Sequence, residues 1–223
     1  MAKGFRIANG SDWQKVGSGN VRIFDGHDWR PGKAHAWDGH NWIDLLEERH
    51  CDTFEATWTQ GYWSWGIAKG RSALVSGNRP VQGCYRPYHD SYDRGDEWGM
   101  IGFDDAAIRS ALAGANIEKV EVYLHSLHWM YGNGGQCVIG THNGRGWQSK
   151  AWEANHSVAQ ARFWQRNQGQ WITLPNWVGD NFRDNRLSGI TVHAGTTNGW
   201  YYGYFAGTND GWMKPKIRFT YTK

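Results

Sequence analysis

Short runs of alternating apolar and polar residues, broken by glycine-bearing turns, follow one another along most of the chain. The run at 117–124, Ile-Glu-Lys-Val-Glu-Val-Tyr-Leu, is rich in β-branched and aromatic residues and predicts the clearest strand. Further strands are expected over 99–103, 136–141, 171–174, 189–193, 200–205 and 216–222, some of them separated by turns such as Gly132-Asn133-Gly134-Gly135 and Thr208-Asn209-Asp210-Gly211. One segment has a different period. Asp104 or Asp105 caps it, Ile108 and Leu112 lie one helical turn apart, and Gly114 ends it, which predicts a short helix plugging one end of the fold. Many short strands with one helix predict an all-β jelly roll or β-sandwich.

The first 45 residues repeat a phrase three times: Asn9-Gly10-Ser11-Asp12-Trp13, Asp25-Gly26-His27-Asp28-Trp29 and Asp38-Gly39-His40-Asn41-Trp42. Asn-Gly and Asp-Gly favour type I′ turns, so each copy predicts a small hairpin with its Trp at the start of the returning strand. Units this small cannot bury an apolar face alone. Residues 1–45 are therefore expected to form a docking or oligomerisation arm that uses Trp13, Trp29, Trp37 and Trp42. The charged stretch around Glu47-Glu48-Arg49-His50 marks a junction over 46–50, and the main domain is expected over 51–223.

Composition narrows the function. The 223 residues include 16 Trp, 10 Tyr, 8 Phe and 30 Gly, a mixture suited to pleated strands and tight turns. The net charge is only +3 and the basic residues form no run, which argues against a nucleic-acid partner. No apolar stretch approaches the roughly 20 residues of a membrane span, so no membrane insertion is expected. The opening Met1-Ala2-Lys3-Gly4 lacks the apolar segment of a signal peptide, which points to folding in a cytoplasm. Cys51, Cys84 and Cys137 form no CxxC pair and read as reduced, mostly buried thiols.

No nucleophile elbow, zinc-protease, phosphate-loop or dinucleotide motif is present, and no acid pair flanked by aromatics stands out, so neither catalysis nor a cofactor is expected. Asp90, Asp93 and Asp96 offer a weak calcium candidate, because their interval of three does not match the alternate spacing of an EF-hand loop. His125 and His128 lie three apart on an expected strand and point to opposite faces, against a shared zinc. Aromatic surface chemistry is the stronger signal. Trp58, Tyr62, Trp63 and Trp65 crowd one segment, and Arg145, Trp147 and Trp152 another. Such rings stack on the apolar faces of sugars while nearby polar groups bind the hydroxyls. The same rings equally suit a core or a subunit interface.

The order Ile101-Gly102-Phe103-Asp104, short helix, then Gly114-Ala115-Asn116-Ile117 leading into a strand resembles the jelly-roll modules of bacterial surface proteins and phage tails. Residues 187–192, 201–205 and 216–222 are similar to the closing strands of minor tail proteins from phages of actinobacteria, and the amino-terminal repeats resemble their virion-attached arms. The resemblance implies a virion structural protein assembled in the host cytoplasm, a minor tail or receptor-binding (tail fibre) protein. Its arm would dock on other virion proteins, its sandwich would adhere to a host surface glycan, and it would form a homotrimer. A stand-alone carbohydrate-binding module of a bacterial surface protein and a capsid decoration protein remain alternatives.

Overall fold

The computed structural model describes residues 6–9, 12–16, 21–32, 34–37, 39–44, 48–64, 66–69, 77–85 and 95–223, with the backbone alone for 6–9, 12–15, 31 and 42–44. Each amino-terminal repeat is one two-stranded sheet. β1 (Arg6–Asn9) pairs with β2 (Asp12–Lys15), β3 (Arg22–Phe24) with β4 (Trp29–Pro31), and β5 (His35–Trp37) with β6 (Trp42–Asp44). The registers match across copies: Ala8 faces Trp13, Phe24 faces Trp29 and Trp37 faces Trp42. The turns depart from the expected type. In the second and third copies the loop encloses residues 25–28 and 38–41, and the positive φ falls on Gly26 (100°) and Gly39 (99°). In the second, Asp25 Oδ1 accepts from the backbone N–H of His27 and of Asp28, each at 2.9 Å, so a side-chain turn replaces the second positive-φ residue.

The rest is an all-β sandwich organised by one long strand. In β7 (Arg49–Tyr62) the first half pairs with β16 (Lys216–Thr222), and the second half, after a bulge between Ala56 and Trp58, pairs with β9 (Trp98–Phe103). Beyond β16 lies β10 (Asn116–Trp129), whose far edge takes β13 (Gln168–Leu174). Past the end of β16, β10 pairs with β15 (Gly203–Phe205), and that strand with β8 (Val81–Gln82). Beyond β9 run β14 (Gly189–His193), β11 (Gly135–His142) and β12 (Asn155–Phe163). Every pairing is antiparallel.

Alternation fills the space between the two halves. Val120, Val122 and Leu124 of β10 and Ile217, Phe219 and Tyr221 of β16 share one core with Ile101, Ile139, Ile190 and Val192. The expected helix is α1 (Asp105–Leu112), capped by Asp104, whose carboxylate accepts from Ala107 N at 3.0 Å. Ile108 and Leu112 are its buried face.

The sandwich departs from the sequence expectation first in β7 and β8, which lie in no expected strand, and then in further features. A second helix, α2 (Asn176–Arg183), follows Pro175, buries Val178 and Phe182, and passes so close to β10 that a Cβ on Gly179 would meet Ile117 and Val120. β12 is an added edge strand. Over 200–205 only β15 is strand, because Asn198 Oδ1 caps a 3-10 turn at Gly199–Tyr201 through Trp200 N at 3.0 Å. Finally, β7 starts at Arg49, and Glu48 exchanges backbone hydrogen bonds with Lys223 at 3.0 and 3.2 Å, so the sandwich reaches back into the expected junction. Among the described residues no helix is long and apolar enough to cross a membrane. Cys51 is exposed, whereas Cys84 and Cys137 are buried.

Candidate functional site

Tertiary pairing brings the two aromatic segments together. Leaving β7, residues 66–68 run alongside residues 149–151. Ala68 N donates to Ser149 O at 3.1 Å, Ala151 N donates to Gly66 O at 2.7 Å, and the Tyr62 hydroxyl donates to Gln148 O at 3.0 Å. The result is a ridge on which Trp147 is 63% exposed. Its ring is nevertheless fixed, because Nε1–H donates at 3.0 Å to the side-chain oxygen of buried Gln60. Gln60 is itself held by its amide donating to Gly61 O at 2.7 Å and Lys69 O at 3.1 Å.

The other expected ligand residues have different surroundings. Tyr62 is fully buried and its ring is unavailable for stacking; burial pushes its phenol well above the usual range. That placement corrects its reading as a surface residue. Trp63 is half-buried over the ammonium of Lys69, 4.5 Å from the ring centre, and Lys69 makes a buried ion pair with Glu97 at 2.8 Å. Trp58 and Trp152 are half-buried and both pack against a buried histidine, His142, with ring centres 5.4 and 6.2 Å away. Trp58 occupies the space a side chain on Gly102 would need. Arg145 is engaged with Asp105 of α1 at 2.8 Å and with the Asn185 side chain, which ties the ridge to the helices. Trp65, Asp90 and Asp93 lie outside the described residues, as do the side chains of Trp13 and Trp42. His125 bonds Tyr123 and Asn167, whereas His128 stacks on Tyr204.

Beside the ridge opens a cleft of about 580 Å³ lined by Ser64, Asp96, Trp98, His193, Gly195, Thr196 and Thr197. Its floor is a cross-strand pair. Trp98 opens β9, His193 closes β14, and register places them opposite each other with rings stacked 3.4 Å apart. The imidazole bridges two carboxylates. Asp96 Oδ2 lies 2.8 Å from Nε2, and Glu153 Oε2 lies 3.0 Å from Nδ1. Burial alone would lower the His193 pKa, but the bonds to Asp96 and Glu153 outweigh it and raise it to about 9. Burial likewise pushes Glu153 up, and the bonds from His193 and Thr191 pull it below its ordinary value.

Backbone features hold Glu153 and its second imidazole in place. Glu153 Oε1 accepts from the Thr191 hydroxyl, and both atoms occupy the space a Cβ on Gly140 would fill. His156 Nδ1 reaches Glu153 Oε2 at 3.1 Å from a bulge in β12, where the register with β11 shifts and Ser157 takes φ 52°. Bulges re-aim side chains in this way. One donor atom from each of Glu153, His156 and His193 lies within 4.8 Å of the others, a set able to hold a metal ion. Of the weak calcium candidates only Asp96 is described, and it faces His193. In the sequence the local trace of this cluster is the Glu153-x-x-His156 spacing; Asp96 and His193 join only through strand pairing.

No protein-family model matches the chain, and no curated protein matches it.

Proposed function

We propose that the protein is a non-enzymatic adhesion protein of a phage virion, a minor tail or receptor-binding component that binds a host surface glycan. The observation that carries the glycan reading is Trp147, an exposed indole whose orientation is set by a buried partner. A ring held in this way loses little freedom when a sugar stacks on it, so more of the stacking energy appears as affinity. The neighbouring cleft offers hydroxyls and a carboxylate from Ser64, Thr196, Thr197 and Asp96 to the sugar hydroxyls. Placement on a virion rests on the sequence resemblance. It is supported by the exposed apolar side chains of the arm, where Ile23, Phe24, Trp29 and Trp37 are all more than half exposed. In this reading the arm joins three chains and docks them on the particle.

The test is binding of the purified protein to a glycan array and to insoluble bacterial cell-wall polysaccharide. Trp147→Ala is expected to weaken retention at least tenfold while shifting the melting temperature by no more than a few degrees. Retention equal to that of the parent would remove Trp147 as the platform, and no retention of the parent on either support would remove the glycan reading.

A further inference from the structure

We propose that Glu153, His156 and His193 form a binding site for a divalent transition metal of the zinc type, with one coordination position open to solvent. Glu153 Oε2 already lies 3.0 Å from His193 Nδ1 and 3.1 Å from His156 Nδ1. Ligands at zinc distances of about 2.0–2.1 Å in a tetrahedron are separated by about 3.3 Å, so a metal enters as Glu153 Oε2 moves slightly away from each imidazole and the two imidazole nitrogens, within 4.8 Å of one another, adjust to that spacing. Two imidazoles and one carboxylate suit zinc, copper or nickel, whereas calcium and magnesium select oxygen.

The surroundings are built as a metal site requires. Asp96 accepts from His193 Nε2–H, which orients the ring and turns Nδ1 toward Glu153. The Thr191 hydroxyl occupies Glu153 Oε1 and leaves Oε2 as the ligand atom. Gly140 leaves room for that carboxylate, and the β12 bulge delivers His156 to it. A metal at this point replaces the protons that His193 Nδ1 and His156 Nδ1 direct at Glu153 Oε2; the His193 proton leaves to solvent, and His156 ligates through Nδ1 with its remaining proton on Nε2. The His156 side chain is 46% exposed, so a fourth ligand, water or a hydroxyl, approaches from the solvent beside it. This inference does not depend on the glycan reading, since it concerns the metal alone.

The experiment uses full-length protein without a histidine tag, stripped with chelator, titrated with Zn²⁺ by calorimetry and with Co²⁺ by visible absorption. The expected result is one metal per chain and the intense cobalt bands of a tetrahedral site. His156→Ala, a change at a half-exposed position that leaves the core intact, should weaken binding at least tenfold. Asp96→Asn should weaken it by about 10- to 100-fold, as loss of a partner behind a ligand does. A folded parent that takes up no Zn²⁺, an affinity unchanged in His156→Ala, or Ca²⁺ displacing Zn²⁺ at equal concentration would each overturn the site. Glycan is absent from the titration, so a failed adhesion test and a failed metal test remain separate results.

Discussion

His142 packs against Trp58 and Trp152, donates Nε2–H to Ile101 O at 3.0 Å and accepts from Gly144 N at Nδ1 at 3.1 Å. The bond accepted at Nδ1 requires the neutral ring. Burial lowers its pKa to about 4, against smaller opposing pulls from the Ile101 carbonyl and Glu153. An unfolded chain takes up this proton near pH 6.5, whereas the folded chain resists it until about pH 4. Stability from this residue is therefore complete above 6.5 and lost as the pH falls through that window, by up to about 3 kcal/mol. Urea midpoints measured between pH 7 and 4.5 should fall more steeply in the parent than in His142→Gln. Parallel slopes would assign the acid sensitivity elsewhere.

The segment after β7 is anchored by an ion pair as well as by backbone bonds. Lys69 and Glu97 are almost wholly buried, and Lys69 N also donates to Gly61 O at 2.9 Å while Glu97 N donates to Gly83 O at 2.9 Å. Taking away one partner strands the other charge in the interior, at a cost of about 3–5 kcal/mol; replacing both with apolar groups of similar size removes that penalty. Thermal unfolding should find Lys69→Met and Glu97→Leu each strongly destabilised and the double variant more stable than either. A double variant as unstable as the sum of the singles would mean that the pair contributes little coupling. The elements themselves differed in legibility. The β10 run at 117–124 sets Val120, Val122 and Leu124 at alternate positions in the core, but in β12 the sequence Asn-His-Ser-Val-Ala-Gln-Ala-Arg-Phe shows no such pattern, because an edge strand is exposed or half-exposed along most of its length. In α2 only Val178 and Phe182 mark the helical period, and Gly179 between them reads as a breaker until its contact with β10 is known.

Across the whole molecule the arm and the sandwich contrast. The sandwich has a continuous core, whereas the hairpins leave Trp29 63% and Trp37 55% exposed. Isolated two-stranded hairpins are marginal, and in the proposed reading other chains cover these rings. Light scattering should give a trimer for the full chain and a monomer for a fragment of residues 48–223, which retains the Glu48–Lys223 pairing. A trimeric fragment would place the association in the sandwich, and a monomeric full chain would remove the arm's role in joining copies.

The sequence by itself determined what depends on neighbours along the chain. The three hairpins follow from the repeated Asn/Asp-Gly phrases, α1 from its Asp104 cap and the Ile108–Leu112 pair, and β14 and β16 from their apolar alternation. It also marked the segments at 57–65 and 144–152, though not which of their rings reach solvent: Tyr62 and Trp147 look alike as aromatic residues, and only packing separates them. The cluster of Asp96, Glu153, His156 and His193 was decided by the tertiary structure. A period of two states which face a strand residue occupies, but not which distant strand lies beside it. Only the pairing of β14 with both β9 and β11, together with a bulge in β12 and a glycine at position 140, brings four groups from three segments to one point.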